Sequence, residues 1–590
     1  MLFLTFLKKL FHEHPRALII SSFLMAGVAL TEGVIVALIV PLLNIAFQDA
    51  HVAQEGGFLQ SAVDVVADVL GIFSIRPSLG IVLLIIVAIF IVQGIVKFLH
   101  MRLQWKTIKE YDLNLVHTVS EKYLKTAWPF FISQKSGHLV NSITEETARA
   151  AGAFQFTLQF LAQFFIILFY VIISFLISWK ITVLGVVLGI CASLFLKRFI
   201  GKMEVLGSQM SYANSEFHAT AQEIFASAKM IKATATEKRA LTKIDEKAQR
   251  KSHLRYVSQL NGSLIPSFYF PLVMSWLALI VYLATQYWEV NFAVILIFVY
   301  IFYRLIPALS SLHSAYEQAC VYIPAFNAVF AMQGVAEQYQ ENDTHAGKPF
   351  SHLAYSIILK DVSLTYADKE IPALHNINLT IPKGARIAIA GVSGAGKTSL
   401  VDVLLGLFLP QKGTLLVDDV PLQAYDMSSW RKRLGYISQD VFLFHDTIRT
   451  NITWLAPNAT NADIQQSLTA SYADEFIATL PQGLDTIIGD RGVKLSGGQR
   501  QRIAMARLFL QNPDIVIFDE AMSALDLESE EKIKKATETL FKNKTTIIIS
   551  HRLSTIHDVD SVYVLDKGSI VDQGTFAELA KKRRYFHQTQ

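Results

Sequence analysis

The chain of 590 residues has few cysteines and few charged residues, and each shortage argues against some classes of protein. Cys191 and Cys320 are its two cysteines, so neither a disulfide framework nor a cysteine-based metal site is expected, and both are interpreted as packing residues. Charged residues make up 17% and the net charge is +4, which gives no reason to expect nucleic acid as a partner. Hydrophobic residues make up 52%, more than in a typical soluble protein. The excess lies in the first half of the chain.

Six apolar runs in that half reach the length of about 20 residues that spans a bilayer. They cover residues 17–47, 79–104, 154–178, 181–201, 263–287 and 291–316. Lysine and arginine are concentrated between the second and third runs and between the fourth and fifth, whereas the 48–78 loop carries only Arg76. Because basic loops stay in the cytoplasm, both termini are predicted to be cytoplasmic. The two basic loops have few helix breakers, which predicts that the membrane helices continue into the cytoplasm as long extensions.

Two amphipathic segments and a domain boundary can also be predicted from the sequence. Residues 1–14 place apolar side chains on one helical face, which predicts a helix lying in the membrane interface. Residues 58–73 show the same spacing and predict a short amphipathic helix on the outer side. We predict a transmembrane domain over 1–325, a polar linker over 326–349, and a second domain over 350–590. In that domain strands alternate with helices, so its predicted fold class is α/β.

The second domain contains a phosphate-binding loop. Gly391 to Thr398 has the form G-x-x-x-x-G-K-T between an apolar strand and an amphipathic helix, the context that this motif requires. The backbone N–H groups and the helix N-terminus are expected to surround the phosphates of ATP, with Lys397 reaching the terminal phosphates and the Thr398 hydroxyl binding Mg²⁺. The alternative is a chance glycine-rich turn, which the later motifs argue against. The residues predicted to contact ATP here are Gly391, Ser393, Gly394, Ala395, Gly396, Lys397, Thr398 and Ser399.

Two later strands end in residues suited to phosphoryl transfer. "PDIVIFDE" is a buried strand that ends in Asp519, predicted to hold the Mg²⁺ shell, and Glu520, predicted to orient the attacking water. "TTIIISH" ends in His551, placed to reach a γ-phosphate. Both Glu520 and His551 are therefore predicted to be catalytic.

The stretch "KLSGGQRQRIAMAR" is the most diagnostic. Ser496 is positioned to cap the helix that follows, and Gly497 and Gly498 expose the backbone to an anion. "LSGGQ" resembles the signature of ATP-binding cassette (ABC) proteins. The resemblance implies that Tyr366 in "LTY" stacks on adenine and that Gln439 in "YISQD" links the metal to the membrane domain. Met522 departs from the family pattern, in which threonine is usual beside "SALD".

Six spans ahead of one cassette resemble an ABC exporter half-transporter. In that family the signature of one cassette closes over the ATP held by the other, which implies a homodimer. The residues that would contact the partner's ATP are thus Ser496, Gly497, Gly498, Gln499 and Asp526. Two bound ATP molecules would close the cassettes and switch the bundle from inward- to outward-facing, and hydrolysis would reset it. The resemblance also implies a bacterial inner-membrane location.

The membrane half carries the information about cargo. "TEGVIVALIVPLLNIA" and "FYRLIPALSSL" resemble bacterial flippases of lipid-linked oligosaccharides, as does the extra amphipathic helix. Arg304 inside the sixth run is interpreted either as a structural pairing residue or as a contact for a lipid pyrophosphate. Glu32 inside the first run is interpreted as a hydrogen-bonding residue between helices or as a residue of the substrate path. Their depths, estimated from sequence position, differ by one or two helical turns. Lys97 inside the second run is interpreted either as another cation for the headgroup or as a residue that snorkels to the cytoplasmic edge.

Other functions stay open at this point. A multidrug or general lipid exporter is the main alternative, because the cation count is low for a pyrophosphate site. A peptide exporter that processes a leader is disfavoured because no protease domain precedes the first span. An ATP-gated membrane protein that does not pump belongs to a different class, and the ATPase activity of a Glu520→Gln variant would distinguish it.

Overall fold

The computed structural model describes residues 2–13, 15–46, 79–187, 190, 203–287, 292–341, 347–366, 369–519, 527–550 and 557–582. The chain divides into two compact units. The first comprises Met1–Thr126 and Phe130–Gln340, and the second comprises Ala127–Pro129 and Glu341–Gln590.

Helices build the part of the chain that precedes Glu341. In chain order they are α1 (Leu2–Glu13), α2 (Pro15–Ala46), α3 (Leu79–Leu124), α4 (Trp128–Ser133), α5 (Ser136–Asn141), α6 (Thr147–Ile177), α7 (Met203–Ala226), α8 (Ala228–Ala233), α9 (Glu237–Gln286) and α10 (Phe292–Gln338). A π-helical turn, Ser142–Glu146, joins α5 to α6, and residues 179–187 are also helical.

The predicted spans fall on these helices. Within the described residues, three helices are long and apolar enough to cross a membrane: Leu79–Leu124, Ser136–Ile177 and Val294–Gln338. Phe23–Glu32 and Val273–Gln286 are shorter apolar helical stretches at the first and fifth predicted spans. The fourth, 181–201, is described only to residue 187 and at residue 190, and the amphipathic helix predicted over 58–73 lies outside the described residues.

Three helices confirm the predicted extensions beyond the membrane. α3, α9 and α10 have 46, 50 and 47 residues. At 1.5 Å per residue each is roughly 70 Å long, about twice the thickness of a bilayer core.

The linker predicted over 326–349 begins too early. α10 continues through Gln338, because apolar residues of its last turns pack against α3: Val329 and Ala336 share a buried cluster with Val119 and Tyr123. The polar composition of this stretch reflects its outer face, and the sequence pattern did not reveal the buried one.

The predicted terminal helix is present as α1, but its apolar face packs on the bundle. Phe3, Phe6 and Leu10 are buried in a cluster with residues of α6 and α10. The rings of Phe6 and Phe326 meet edge to face, with centroids 4.8 Å apart. The predicted amphipathic helix is therefore confirmed, and neighbouring helices cover its apolar face in place of lipid.

The second unit contains two sheets. Its strands are β1 (Ser356–Leu364), β2 (Leu374–Pro382), β3 (Arg386–Ala390), β4 (Lys412–Val417), β5 (Val420–Pro421), β6 (Leu434–Ile437), β7 (Ile515–Asp519), β8 (Thr545–Ile549), β9 (Ser561–Asp566) and β10 (Ser569–Gly574). The antiparallel sheet has the order β2-β1-β4-β5, and the other has the order β10-β9-β3-β8-β7-β6.

The six-stranded sheet positions the site. β6, β7, β8, β3 and β9 run parallel, and the interior strands β7 and β8 are almost wholly buried, as expected where helices cover both faces. The helices of this unit are Lys397–Leu404, Met427–Lys432, Ile448–Thr453, Asn461–Ala470, Asp474–Ile477, Gly497–Gln511, Leu527–Phe541 and Phe576–Lys581. The α/β fold class is confirmed.

Candidate functional site

The carboxyl ends of the parallel strands bring the separate motifs of the second unit to one edge. Ile389 of β3 pairs with Ile549 of β8, and Ile549 pairs with Asp519 of β7. The phosphate-binding loop follows β3, Gln439 follows β6, and Ser550 follows β8. Ligands of open α/β sheets bind at this kind of edge.

Glycines shape the phosphate-binding loop. Gly394 and Gly396 have φ angles of +80° and +104°, in the left-handed region that disfavours other residues. A Cβ on Gly396 would lie 2.7 Å from the carbonyl oxygen of Ala373, and one on Gly391 would collide with the carbonyl oxygen of Leu565. The close backbone approach therefore requires glycine at both positions.

The loop curls around the ammonium group of Lys397. This side chain is 9% exposed, and its Nζ donates hydrogen bonds to the carbonyl oxygens of Gly391 at 2.8 Å and Val392 at 3.1 Å. Ser393 and Thr398 are exposed at the rim, and the helix Lys397–Leu404 starts there with its partial positive end. The residues fit a polyphosphate.

Tyr366 is held at the start of the same helix. Its hydroxyl lies 2.9 Å from Oγ of Ser399, and its ring meets that of Phe408 edge to face at 5.1 Å. The hydroxyl of Tyr366 also favours the ionised form of Asp402 and so acts to lower the pKa of that carboxyl group. Burial and the nearby charge of Asp519 raise the pKa of Asp402 from 3.8 to about 6, against the opposing effect of the Tyr366 hydrogen bond.

Several side chains with oxygen donors lie along this edge. Asp519 is partly buried at the end of β7, where the hydroxyl of Tyr436 donates to its Oδ2 at 3.5 Å, and Gln439 is exposed after β6. Hydroxyl, amide and carboxylate oxygens suit Mg²⁺, so Thr398, Gln439 and Asp519 fit it chemically. Glu520, Asp526 and His551 lie outside the described residues, and their roles stay predictions.

The signature segment forms the predicted helix cap. Ser496 Oγ accepts from the backbone N–H of Gln499 at 3.2 Å, and the Gln499 side chain accepts from the backbone N–H of Ser496 at 2.9 Å. This capping box starts a helix of 15 residues, Gly497–Gln511. Gly498 is buried and Ser496 is exposed, so the positive end of the helix remains accessible to an anion.

Asp402 and Tyr436 are two residues of this edge that were not predicted from the sequence. Asp402 interrupts the apolar run "LVDVLLG", and a lone acid on an apolar helix face was the available signal. Nothing in the sequence marks Tyr436, because its contact with Asp519 arises from the pairing of β6 with β7.

Three further helices of the membrane unit contribute side chains to the surroundings of Glu32, which is 4% exposed on α2. Gln93 Nε2 donates to Oε1 at 2.6 Å and the Tyr170 hydroxyl donates to Oε2 at 2.7 Å. Lys97 Nζ lies 3.6 Å from Oε1, and Arg304 Nη2 lies 3.4 Å from Oε2. The depth difference estimated from sequence is therefore wrong, because α2 and α10 bring Glu32 and Arg304 to one level. We call these five residues the Glu32 cluster.

Two family models match the chain in consecutive segments. The model described as "ABC transporter transmembrane region" matches residues 17–309, and the model described as "ABC transporter" matches residues 374–523.

Curated relatives of the chain include two kinds of exporter. The chain is 42% identical over 256 residues to a "Putative multidrug export ATP-binding/permease protein" of Staphylococcus aureus, over 43% of this chain and 44% of that protein. It is 40% identical over 314 residues to an "ATP-dependent lipid A-core flippase" of Thiobacillus denitrificans, over 52% of this chain and 54% of that protein. The chain thus spans about half the length of these relatives.

A solved structure shares the fold over nearly the whole chain. It is titled "Structure of a bacterial Atm1-family ABC exporter with ATP bound", and the superposition has a TM-score of 0.80 at 24% identity, covering 97% of both chains. At this identity the likeness establishes the fold alone.

Proposed function

Because this chain belongs to the ABC transporter family, we propose that it is an ATP-driven exporter that moves a lipid across the membrane, specifically a lipid-linked oligosaccharide. One observation carries the proposal. A single chain combines a transmembrane region, with helices long and apolar enough to cross a bilayer, and a phosphate-binding edge with its own capped signature helix.

The residues of the cassette would divide the work of hydrolysis. The loop N–H groups and Lys397 would bind the phosphates, and Tyr366 would position the adenine ring. Thr398, Gln439 and Asp519 would hold Mg²⁺, which would neutralise charge on the phosphates. Glu520 orients the attacking water, and His551 contacts the γ-phosphate. Substituting Glu520 by Gln keeps the shape and removes the charge, so ATP should still bind while hydrolysis falls at least about 100-fold. Full hydrolysis by this variant would refute the assignment.

We propose that the chain works as a homodimer in which Ser496, Gly497, Gly498, Gln499 and Asp526 act on the partner's ATP. The exposed, capped start of Gly497–Gln511 supports this arrangement, since it is an accessible anion-binding end. Homodimers are the commonest assembly of soluble oligomers and the simplest for one cassette per chain.

A mixing experiment tests the composite site. Lys397→Ala removes the ammonium, and Ser496→Asp keeps a good helix cap while its carboxylate repels phosphate. Each variant alone should be inactive. Random mixing leaves one intact site in half of the dimers, so roughly a quarter of the wild-type ATPase activity should return. Mixtures as inactive as the single variants would argue against sites shared between chains.

The cargo proposal rests on the flippase-like first and sixth spans and on the cations of the Glu32 cluster, and the relative named as a lipid A-core flippase supports a lipid. The relative named as a multidrug exporter favours a second candidate, export of amphipathic drugs. Proteoliposomes with fluorescent lipid-linked sugars on one side, compared with drug dyes, separate the two. Dye-stimulated turnover without lipid translocation would select the drug exporter.

We further propose that the chain resides in the bacterial inner membrane with both termini and the cassette in the cytoplasm. The density of lysine and arginine in the two long loops supports this orientation. Protease added to spheroplasts should leave the cassette intact, and protease added to inverted vesicles should cleave it. The opposite pattern would reverse the orientation.

A further inference from the structure

The carboxylate of Glu32 divides its contacts between two groups of helices. Oε1 faces Gln93 and Lys97 of α3, at 2.6 and 3.6 Å. Oε2 faces Tyr170 of α6 and Arg304 of α10, at 2.7 and 3.4 Å. One buried side chain thus connects α2 and α3 to α6 and α10.

The partners of Glu32 fall into two chemical classes. Gln93 and Tyr170 are neutral donors at short hydrogen-bond distances, while both cations are slightly farther away. Glu32 has 6% of its side chain exposed, against 30% for Arg304 and 45% for Lys97. The neutral donors therefore satisfy the carboxylate, and the two cations lie at the accessible side of the cluster.

The charges of the cluster do not balance. One carboxylate faces two cations, which leaves a surplus of one positive charge. Uncompensated charge within a membrane is unfavourable, so two neighbouring cations without any anion would be strongly disfavoured. Glu32 reduces this cost, and the remaining positive charge would attract a further anion.

We infer that Glu32 is an internal counter-anion that occupies the Lys97–Arg304 cation pair until the phosphate or pyrophosphate group of the cargo replaces it. A dianion matches the two cations better than one carboxylate does. Displaced Glu32 keeps its hydrogen bonds to Gln93 and Tyr170, so the exchange leaves no buried group unsatisfied. The exchange also removes the ionic contact between Glu32 and α10, which loosens the connection between the two groups of helices. The inference rests on the proposed lipid function and adds the step by which the cargo headgroup enters.

Glu32→Gln tests the exchange, because glutamine keeps the shape and hydrogen-bonding capacity and loses the charge. The assay is ATPase stimulation of the full-length protein in phosphatidylcholine proteoliposomes by a polyprenyl pyrophosphate. With the internal competitor neutralised, the half-stimulating concentration should fall about tenfold, a change of about 1.4 kcal/mol. The matched control is Glu204→Gln, which neutralises an exposed acid of α7 and should respond like the wild type. Polyprenol, which lacks the phosphates, should show no shift.

Lys97→Gln is a second variant at a half-exposed position, where folding is at low risk. It leaves Glu32 matched by Arg304 alone, so pyrophosphate stimulation should weaken at least about fivefold relative to the wild type. Adding Glu32→Gln to this variant should restore part of the response, because Arg304 is released.

The outcomes separate this inference from the proposed function. In the first outcome the wild type responds to pyrophosphate, but the half-stimulating concentration of Glu32→Gln is unchanged or higher. This result overturns the role of Glu32 as a counter-anion and leaves the proposed lipid function intact. If Glu32→Gln does not fold, a Lys97→Gln variant whose pyrophosphate stimulation equals that of the wild type overturns the inference in the same way. A wild type that neither responds to the pyrophosphate nor moves any lipid overturns both.

Discussion

The hydroxyl of Tyr366 lies 2.9 Å from Oγ of Ser399, two residues after Lys397. The aromatic side chain predicted to stack on adenine is therefore held against the helix that follows the phosphate-binding loop. Since the ring and the hydroxyl have different partners, their contributions can be separated.

Substitution of Tyr366 by Phe should leave the KM for ATP within about twofold of wild type, because the ring that stacks is retained. Substitution by Ala should raise the KM about tenfold, within the 1–3 kcal/mol typical of base–aromatic stacking. Steady-state ATPase measurements compare the two. An equal loss in both variants would mean that the hydroxyl, and not the ring, supports nucleotide binding.

Asp402 makes the stability of the cassette depend on pH. Its raised pKa disfavours the ionised form in the folded state, so ionisation of Asp402 destabilises the fold. This effect is absent below about pH 3.8, grows between pH 3.8 and pH 6, and is complete above pH 6. Asp402→Asn should therefore raise the melting temperature by about 2–4 °C at pH 7.5. The gain should be smaller at pH 5. Thermal unfolding of the full-length protein at the two pH values measures it, and a gain that grows on acidification would contradict the assignment.

Arg149 is a buried connection among α6, α7 and α10. Its Nη1 donates to Oγ of Ser211 at 2.6 Å, its Nη2 donates to the carbonyl oxygen of Val321 at 3.3 Å, and Glu146 lies 3.4 Å away. Arg149→Met leaves the Glu146 carboxylate buried without its cation, which should cost about 3–5 kcal/mol.

Two further variants control for this loss. Adding Glu146→Gln to Arg149→Met should recover part of the stability, since no charge remains buried. Arg239→Met at an exposed position should change the unfolding temperature little. A double variant as unstable as the single one would show that packing, and not charge, dominates.

Gly207 allows close packing of α7 on α10. A Cβ there would collide with the carbonyl oxygen of Val321 and lie 3.1 Å from Cγ of Pro324. Gly207→Ala should therefore lower the melting temperature by several degrees, equivalent to about 1–3 kcal/mol. Gly94→Ala is the matched control in α3, where a Cβ meets nothing within 4 Å, and helix propensity predicts no loss. Equal effects at both sites would refute the steric argument.

Local patterns were sufficient to predict the α/β class of the cassette, most of the membrane helices and the phosphate-binding loop. Each depends on neighbouring residues: apolar runs of sufficient length, or a glycine-rich turn between a strand and a helix. Local patterns do not predict the end of α10, because Val329 and Ala336 are buried by residues of α3 that lie far away in sequence.

The sequence by itself determined which residues carry charge and where the chain can bind phosphate, since those properties belong to single residues and short motifs. The tertiary structure alone decided which distant residues meet. Asp402 is coupled to Asp519 because β3 and β7 flank β8 in one sheet. Glu32 meets Arg304 because packing of α2, α3, α6 and α10 sets their relative depths. The Glu32 carboxylate requires hydrogen-bonding or charged partners because it is removed from water, and only the packed helices supply them.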